Sequence, residues 1–208
     1  MHKFQSELLQ QTIGIEIIEN PTDLGEHTYD NPYSFDYYEE ANVYEVKRYS
    51  DDTTYLKNVI KYVVEKEYPI HFELLCKRVA GLFGNQKVTV KVRDSVNYVI
   101  SKYLTDKLMR KGDFLWIKGA ENIKARVPLS NDVGVRSINH ISKEEIAEAM
   151  LQIVSKSFGI TTNDLYSVTA RVFGFSRTGG NISNAMQQAC DYLVESGVVK
   201  NLNGKIVL

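Results

Sequence analysis

Cysteine is scarce in this sequence of 208 residues: Cys76 and Cys190 are the only two, they fall in separate helical patterns, and neither has a second Cys or a His at metal-ligand spacing. A disulfide framework and a zinc-type ligand set are therefore excluded, and both thiols read as small buried hydrophobes. No apolar stretch approaches the roughly 18 residues that a membrane-spanning helix needs. The opening residues, Met1-His2-Lys3-Phe4-Gln5-Ser6-Glu7, contain no apolar signal-peptide core. A cytoplasmic protein with no membrane partner is the simplest expectation. Catalytic signatures are also missing. The chain has no Gly-x-x-x-x-Gly-Lys-Ser/Thr phosphate loop, no His-Glu-x-x-His, no Cys-x-x-Cys and no Gly-x-Ser-x-Gly. His27, His71 and His140 are scattered. Glu144, Glu145 and Glu148 cluster, but at the start of an expected helix, where carboxylates favour the helix dipole. The expectation is a non-enzyme without a cofactor or metal.

With 43% hydrophobic and 25% charged residues, the chain is an ordinary globular protein of one or two domains. Its formal net charge of −1 conceals a division. Residues 1–50 hold ten acidic and three basic side chains; residues 54–119 hold thirteen basic and six acidic; residues 140–208 hold six of each. An acidic arm thus precedes a basic module and a neutral one. A local surplus of +7 can attract a polyanion although the whole chain is nearly neutral.

The sequence also repeats itself at an offset of ninety residues, with Ile70 laid on Ile160. Leu75 then meets Leu165, Ala80 meets Ala170, Phe83-Gly84 meets Phe173-Gly174, and Val96 meets Met186; Tyr68 meets Phe158 just before. At the far end, an insertion of two residues aligns Gly112-Asp113-Phe114-Leu115-Trp116 with Gly204-Lys205-Ile206-Val207-Leu208. One structural unit is used twice.

Each copy reads as three helices and a β-hairpin. In the first, the expected helices span Tyr55–Lys66, His71–Leu82 and Thr89–Leu104, the last with Val92, Val96, Val99, Ile100 and Tyr103 inward. In the second, Ser142-Lys143-Glu144-Glu145 is a capping box that opens a helix to about Ser157. Thr161 or Thr162 caps the next helix, and the last spans about Ile182–Glu195. Asn203-Gly204 marks a tight hairpin turn. The fold expectation is α+β, mainly helical, as a tandem pair of winged helices, a helix-turn-helix variant. The divisions are an arm over 1–50, a first unit over 51–119, a linker over 120–139 and a second unit over 140–208.

In the first unit, Lys87, Lys91, Arg93 and Lys102 lie on or beside helix three, and Lys107, Arg110, Lys111 and Lys118 lie on the hairpin wing. They suit phosphate neutralisation, or they are a solvated face. In the second unit, Arg177, Thr178, Asn181, Ser183, Asn184, Gln187 and Gln188 open helix three. Their amides and hydroxyls could read base edges, and the backbone of Gly179-Gly180 could hold a phosphate. The alternative is a turn that needs glycine, followed by an ordinary polar face. The arm contains an expected short helix around Phe4, Leu8 and Leu9, a strand-like Ile13–Ile18, and many tyrosines, including Tyr29, Tyr33, Tyr37, Tyr38, Tyr44 and Tyr49. It is expected to pack along the units or onto a partner, and could cover the basic unit as a DNA mimic. Arg126 and Arg136 in the linker suit either phosphate contact or packing between the units.

Several of these stretches, taken as a set, carry a resemblance: Pro69-Ile70-His71, Gly112-Asp113-Phe114-Leu115-Trp116, Arg136-Ser137-Ile138, Ile141-Ser142-Lys143-Glu144-Glu145-Ile146 and Phe173-Gly174-Phe175-Ser176-Arg177-Thr178-Gly179. Over about residues 50–208 the chain resembles a bacterial domain of unknown function found at the C-terminus of large superfamily-one DNA helicases, which commonly carry a Vsr-like endonuclease domain just upstream. The resemblance implies a setting in DNA processing or genome defence, with DNA and a helicase or nuclease as partners. It transfers no catalytic residue. Nothing in residues 1–50 matches a nuclease core, so a separate short protein or a fragment is expected. The competing expectation is a protein-interaction module that docks on helicase or nuclease subunits without touching DNA.

Overall fold

The computed structural model describes residues 33–48, 51–84, 87–120, 122–130 and 133–208. The helix expected around Phe4–Leu9, the strand-like Ile13–Ile18, Tyr29 and Tyr49 lie outside the described residues. Strand β1 (Asp36–Tyr37) and a 3-10 turn (Val43–Glu45) precede α1 (Asp52–Glu67), β2 (Ile70–His71), α2 (Phe72–Leu82) and α3 (Val90–Tyr103). The hairpin β3 (Leu108–Lys111) and β4 (Phe114–Ile117) follows, then β5 (Arg126–Val127) and a 3-10 turn (Ile138–His140). The chain continues through α4 (Lys143–Ser155), β6 (Ile160–Thr161), α5 (Thr162–Val172), α6 (Gly180–Glu195), β7 (Lys200–Leu202) and β8 (Lys205–Val207). The protein is α+β, with six helices and small sheets among the described residues.

Local chemistry sets the helix starts. Asp51 accepts hydrogen bonds from the backbone N–H groups of Thr53 and Thr54, which starts α1 three residues before the expected Tyr55. Thr89, Ser142 and Thr161 cap α3, α4 and α5 in the same way. The capping box is only half formed. The Ser142 hydroxyl accepts from the Glu145 N–H, but the Glu145 carboxylate turns inward to two arginines instead of back to the serine.

The order helix, short strand, helix, helix, hairpin occurs twice. β2 and β6 extend each hairpin to three strands, in the orders β2-β4-β3 and β6-β8-β7. Ile70 and Ile160, which open these strands, are ninety residues apart and both buried. His71 therefore ends a strand and caps α2 through its side chain; it is not the first residue of the helix. In the hairpins Ile70 faces Leu115 and Ile160 faces Ile206, so Leu115 corresponds to Ile206 and one residue is inserted, not two. The reason lies in the turns. Gly112 takes the positive φ at the first turn position in one hairpin, whereas Asn203 and Gly204 both take positive φ in the other, so the two glycines are not equivalent.

Each copy encloses a core. Val59, Ile60, Val63 and Val64 of α1 meet Leu75 and Val79 of α2, Val96 and Val99 of α3, and Leu115 of the hairpin. In the second copy, Ile146, Met150 and Ile153 meet Leu165, Met186 and Ile206. Each such side chain contributes roughly 1.5–3 kcal/mol by leaving water. Cys76 and Cys190 are buried, and burial pushes the Cys76 thiol up to about 12. Two residues depart from the expected pattern: Tyr103 is 40% exposed, not inward, and Phe158, laid on half-buried Tyr68 by the repeat, is fully exposed.

The described part of the arm bridges the two units. Tyr33 and Phe35 pack on the second core, while Ala41 and Val43 join the first. Between them, β1 pairs in parallel with β5, Asp36 opposite Arg126. The acidic groups Asp36, Glu40 and Glu45 bind Lys124, Arg78 and the Tyr62 hydroxyl. These partners lie outside α3 and the first hairpin, so this segment does not shield the lysines of that face.

Candidate nucleic-acid interface

Helix α3 turns its apolar stripe to the core, which leaves Lys91, Asn97, Tyr98 and Lys102 in solvent. Lys87 is exposed just before the helix, and Lys107 and Lys118 flank the base of the hairpin, where the Lys118 N–H donates to the Lys107 carbonyl at 2.8 Å. Among the described residues, none of Lys87, Lys91, Lys107 and Lys118 has a carboxylate within ion-pair distance. The other basic groups are partly engaged. Arg93 donates two hydrogen bonds of 2.9 Å to Glu73, whose carboxyl Arg93 holds below the usual range. Arg110 lies 4.5 Å over the Phe72 ring and reaches Gly112, Asn97 and Asp113. Lys111 lies 4.3 Å over the Trp116 ring. Lys102 donates to the Tyr98 hydroxyl at 2.9 Å beside exposed Tyr103. Exposed aromatics interleaved with cations are thus a feature of α3 that the apolar-stripe reading misses.

In the second unit, Arg177 and Thr178 are exposed ahead of α6, Ser183 is half-buried and Gln187 is exposed. The turn into α6 does not need glycine at 179 or 180. Gly179 has φ −72°, neither Gly179 nor Gly180 is left-handed, and a Cβ at either would meet nothing within 4 Å. Asn181, Asn184 and Gln188 share one face of α6 and line a cleft of about 870 Å³. The opposite wall is the first unit's hairpin turn, Lys111 to Phe114. The structure thereby brings Lys111 together with Asn181 and Asn184, which the sequence assigns to separate surfaces.

The floor of the cleft holds His71 and His140, their ring centroids 4.7 Å apart, with Phe114 edge-on to His71 at 5.2 Å. The His71 Nδ1 accepts from the Glu73 N–H, so its Nε2 carries the proton in the neutral ring. Burial lowers the pKa of both imidazoles. Their partnership has no local sequence signal, because the two lie on different units.

Beside the cleft runs a buried ionic spine. Glu145 is fully buried; burial alone would raise its pKa, but Arg136 and Arg126 hold it lowered. Arg126 also donates to the Pro69 carbonyl at 3.1 Å, which ties the linker to the first unit. Tyr38 places its ring 4.2 Å from the Arg136 guanidinium and donates its hydroxyl to Glu67, which Arg78 also binds. Burial and Glu67 both raise the Tyr38 pKa. Arg126 and Arg136 are thus packing residues between the units. Among the described residues, no group of three His, Cys, Asp or Glu side chains could hold a metal ion, and no helix is long and apolar enough to cross a membrane.

No curated protein and no solved structure matches this chain. Residues 49–94, which contain α1, α2 and the start of α3, are similar to a family described as a protein of unknown function, DUF3320.

Proposed function

We propose that the chain is a tandem winged-helix protein that binds duplex DNA without catalysing a reaction, and that it positions a helicase or nuclease in DNA processing or genome defence. The observation that carries this reading is a set of exposed lysines on one unit that have no ion-pair partner among the described residues: Lys87 and Lys91 at the start of α3, and Lys107 and Lys118 at the hairpin base. The element order supports it. A helix, a short strand, a helix-turn-helix and a hairpin whose second strand sits centrally form the layout in which helix three enters the major groove and the wing meets the backbone. The link to helicases rests on the sequence resemblance alone.

The test is fluorescence anisotropy of labelled duplex DNA at several salt concentrations, with the full chain and a Lys91→Ala, Lys107→Ala, Lys118→Ala variant. Each lost phosphate contact is expected to flatten the slope of log affinity against log salt by about 0.9. Affinity that is insensitive to salt and to the variant would overturn the reading. It would favour instead the protein-docking role, for which fully exposed Phe158, two residues before β6, is the supporting observation.

A further inference from the structure

We propose that the cleft between the first unit's hairpin and α6 is a binding site for unpaired nucleotides of single-stranded DNA, continuous with a duplex held on the first unit. This rests on the DNA-binding reading above and assigns a second, different site.

Size comes first. A volume of about 870 Å³ lies within the roughly 300–1,000 Å³ of sites that enclose small ligands. A short unpaired stretch fits such a space, and a duplex does not. The chemistry is that of a nucleobase with its phosphate. Asn181, Asn184 and Gln188 stand at i, i+3 and i+7 on one wall, and each amide can donate and accept toward a Watson–Crick edge. The floor supplies flat groups, with His71, His140 and Phe114 half-buried and partly open to the cleft. Unstacked bases are held in this way, on aromatic or imidazole faces with hydrogen bonds to their edges. Lys111 and Lys143 are exposed at the cleft and positioned for phosphate. Of the two carboxylates present, Asp113 pairs with Arg110 at 3.7 Å, and Glu144 can accept from an exocyclic amino group. The amide wall comes from the second unit and the stacking floor is shared by both, so neither unit alone has the whole site.

The experiment compares the full chain on blunt duplex, on the same duplex with a single-stranded tail, and on the single strand alone, using anisotropy. Wild type should prefer the tailed duplex over the blunt one by roughly tenfold, the gain expected from stacking one base. Asn181→Ala with Asn184→Ala should abolish that preference, so the ratio of tailed to blunt affinity should fall to about one. Both residues are exposed, so the fold is not at stake. Lys91→Ala should weaken blunt and tailed duplexes alike. Equal affinity of wild type for tailed and blunt duplex, or a preference that survives the double variant, overturns the cleft assignment. So does a free mononucleotide that competes as well as the tail. Loss of the duplex reading alone is distinguishable: single-strand binding would then remain sensitive to the double variant while Lys91→Ala has no effect.

Discussion

Replacing Glu145 by alanine tests how the two units are held together. Five hydrogen bonds converge on this carboxylate: three from Arg126, through its backbone N–H, Nε and Nη2, and two from Arg136. The carboxylate is fully buried, and the two arginine side chains are only 10% and 4% exposed. Removing it leaves two guanidinium charges in a dry setting with no counter-ion. Breaking one buried pair costs about 3–5 kcal/mol, most of it the penalty on the group left behind. The Glu145→Ala loss should reach at least that range, against a typical folding stability of about 5–15 kcal/mol.

The assay is equilibrium unfolding in urea, followed by far-UV circular dichroism and by fluorescence. Trp116 is the sole tryptophan, is 2% exposed, and sits in the first unit's hairpin, so its emission reports that unit alone. Wild type should give coincident transitions by the two probes, since Arg126 links Glu145 to the Pro69 carbonyl of the first unit. The variant should separate them, with the second unit unfolding first. Replacing all three residues by apolar ones, Glu145→Leu with Arg126→Met and Arg136→Met, should recover most of the loss, because no unpaired charge remains. As a control, Glu65→Ala breaks the exposed Lys61–Glu65 pair and should cost at most about 0.5 kcal/mol. A Glu145→Ala loss below about 1 kcal/mol would refute the argument.

Two further outcomes follow from the geometry. Burial depresses the pKa of His71 and His140, with Asp113, Glu73, Arg110, Lys77 and Arg136 as charged neighbours. Below their unfolded value of about 6.5 the unfolded chain binds more protons, so stability should be flat above neutrality and fall as pH drops below it. His140→Gln should weaken this dependence in urea midpoints between pH 8 and pH 5, and an unchanged profile would exclude the pair as its source. Gly174 has φ +84°, and a Cβ there would lie 3.2 Å from the Pro128 Cγ, so Gly174→Ala should cost about 1–3 kcal/mol. Gly179→Ala, with ordinary φ and open space, should change the thermal midpoint by no more than a surface substitution does. Equal effects of the two alanines would refute the strain argument.

The parts of the fold that local chemistry controls were legible. The ninety-residue offset places α2 on α5 residue for residue, because both helices are set by an apolar stripe and a terminal glycine. The strands β2 and β6 were not, because two residues carry no periodicity and their hydrogen bonds go to hairpins more than forty residues away. Matching Gly112 to Gly204 hides the one-residue insertion, because a glycine can serve either position of a two-residue turn. The basic residues of α3 and the first hairpin were visible as charge, but not which were occupied: Arg93 looks like its neighbours in sequence, yet Glu73 on another helix already binds it. The ionic spine was illegible for the same reason. Nothing local says that Glu145 will leave its cap to meet arginines nine and nineteen residues upstream.

The arm explains how such a cleft keeps its shape. A wall from one unit and a floor shared by both are useful only if the units cannot rotate, and a linker alone would let them. Tyr38 bridges the two sides of this junction. Its ring stacks under Arg136, which is fixed by Glu145 of the second unit, while its hydroxyl meets Glu67, fixed by Arg78 of the first. One side chain thereby joins two buried charge clusters, and β1 lays the segment before it against β5. Charged contacts at such a junction contribute little net stability compared with apolar packing, but they tolerate few alternative arrangements, because any rotation strands a buried charge. On this argument Asp36 and Glu40, among the described acidic residues of the arm, serve orientation. Glu40 and Asp36 reach Arg78 and Lys124 at the junction, away from α3 and the hairpin base.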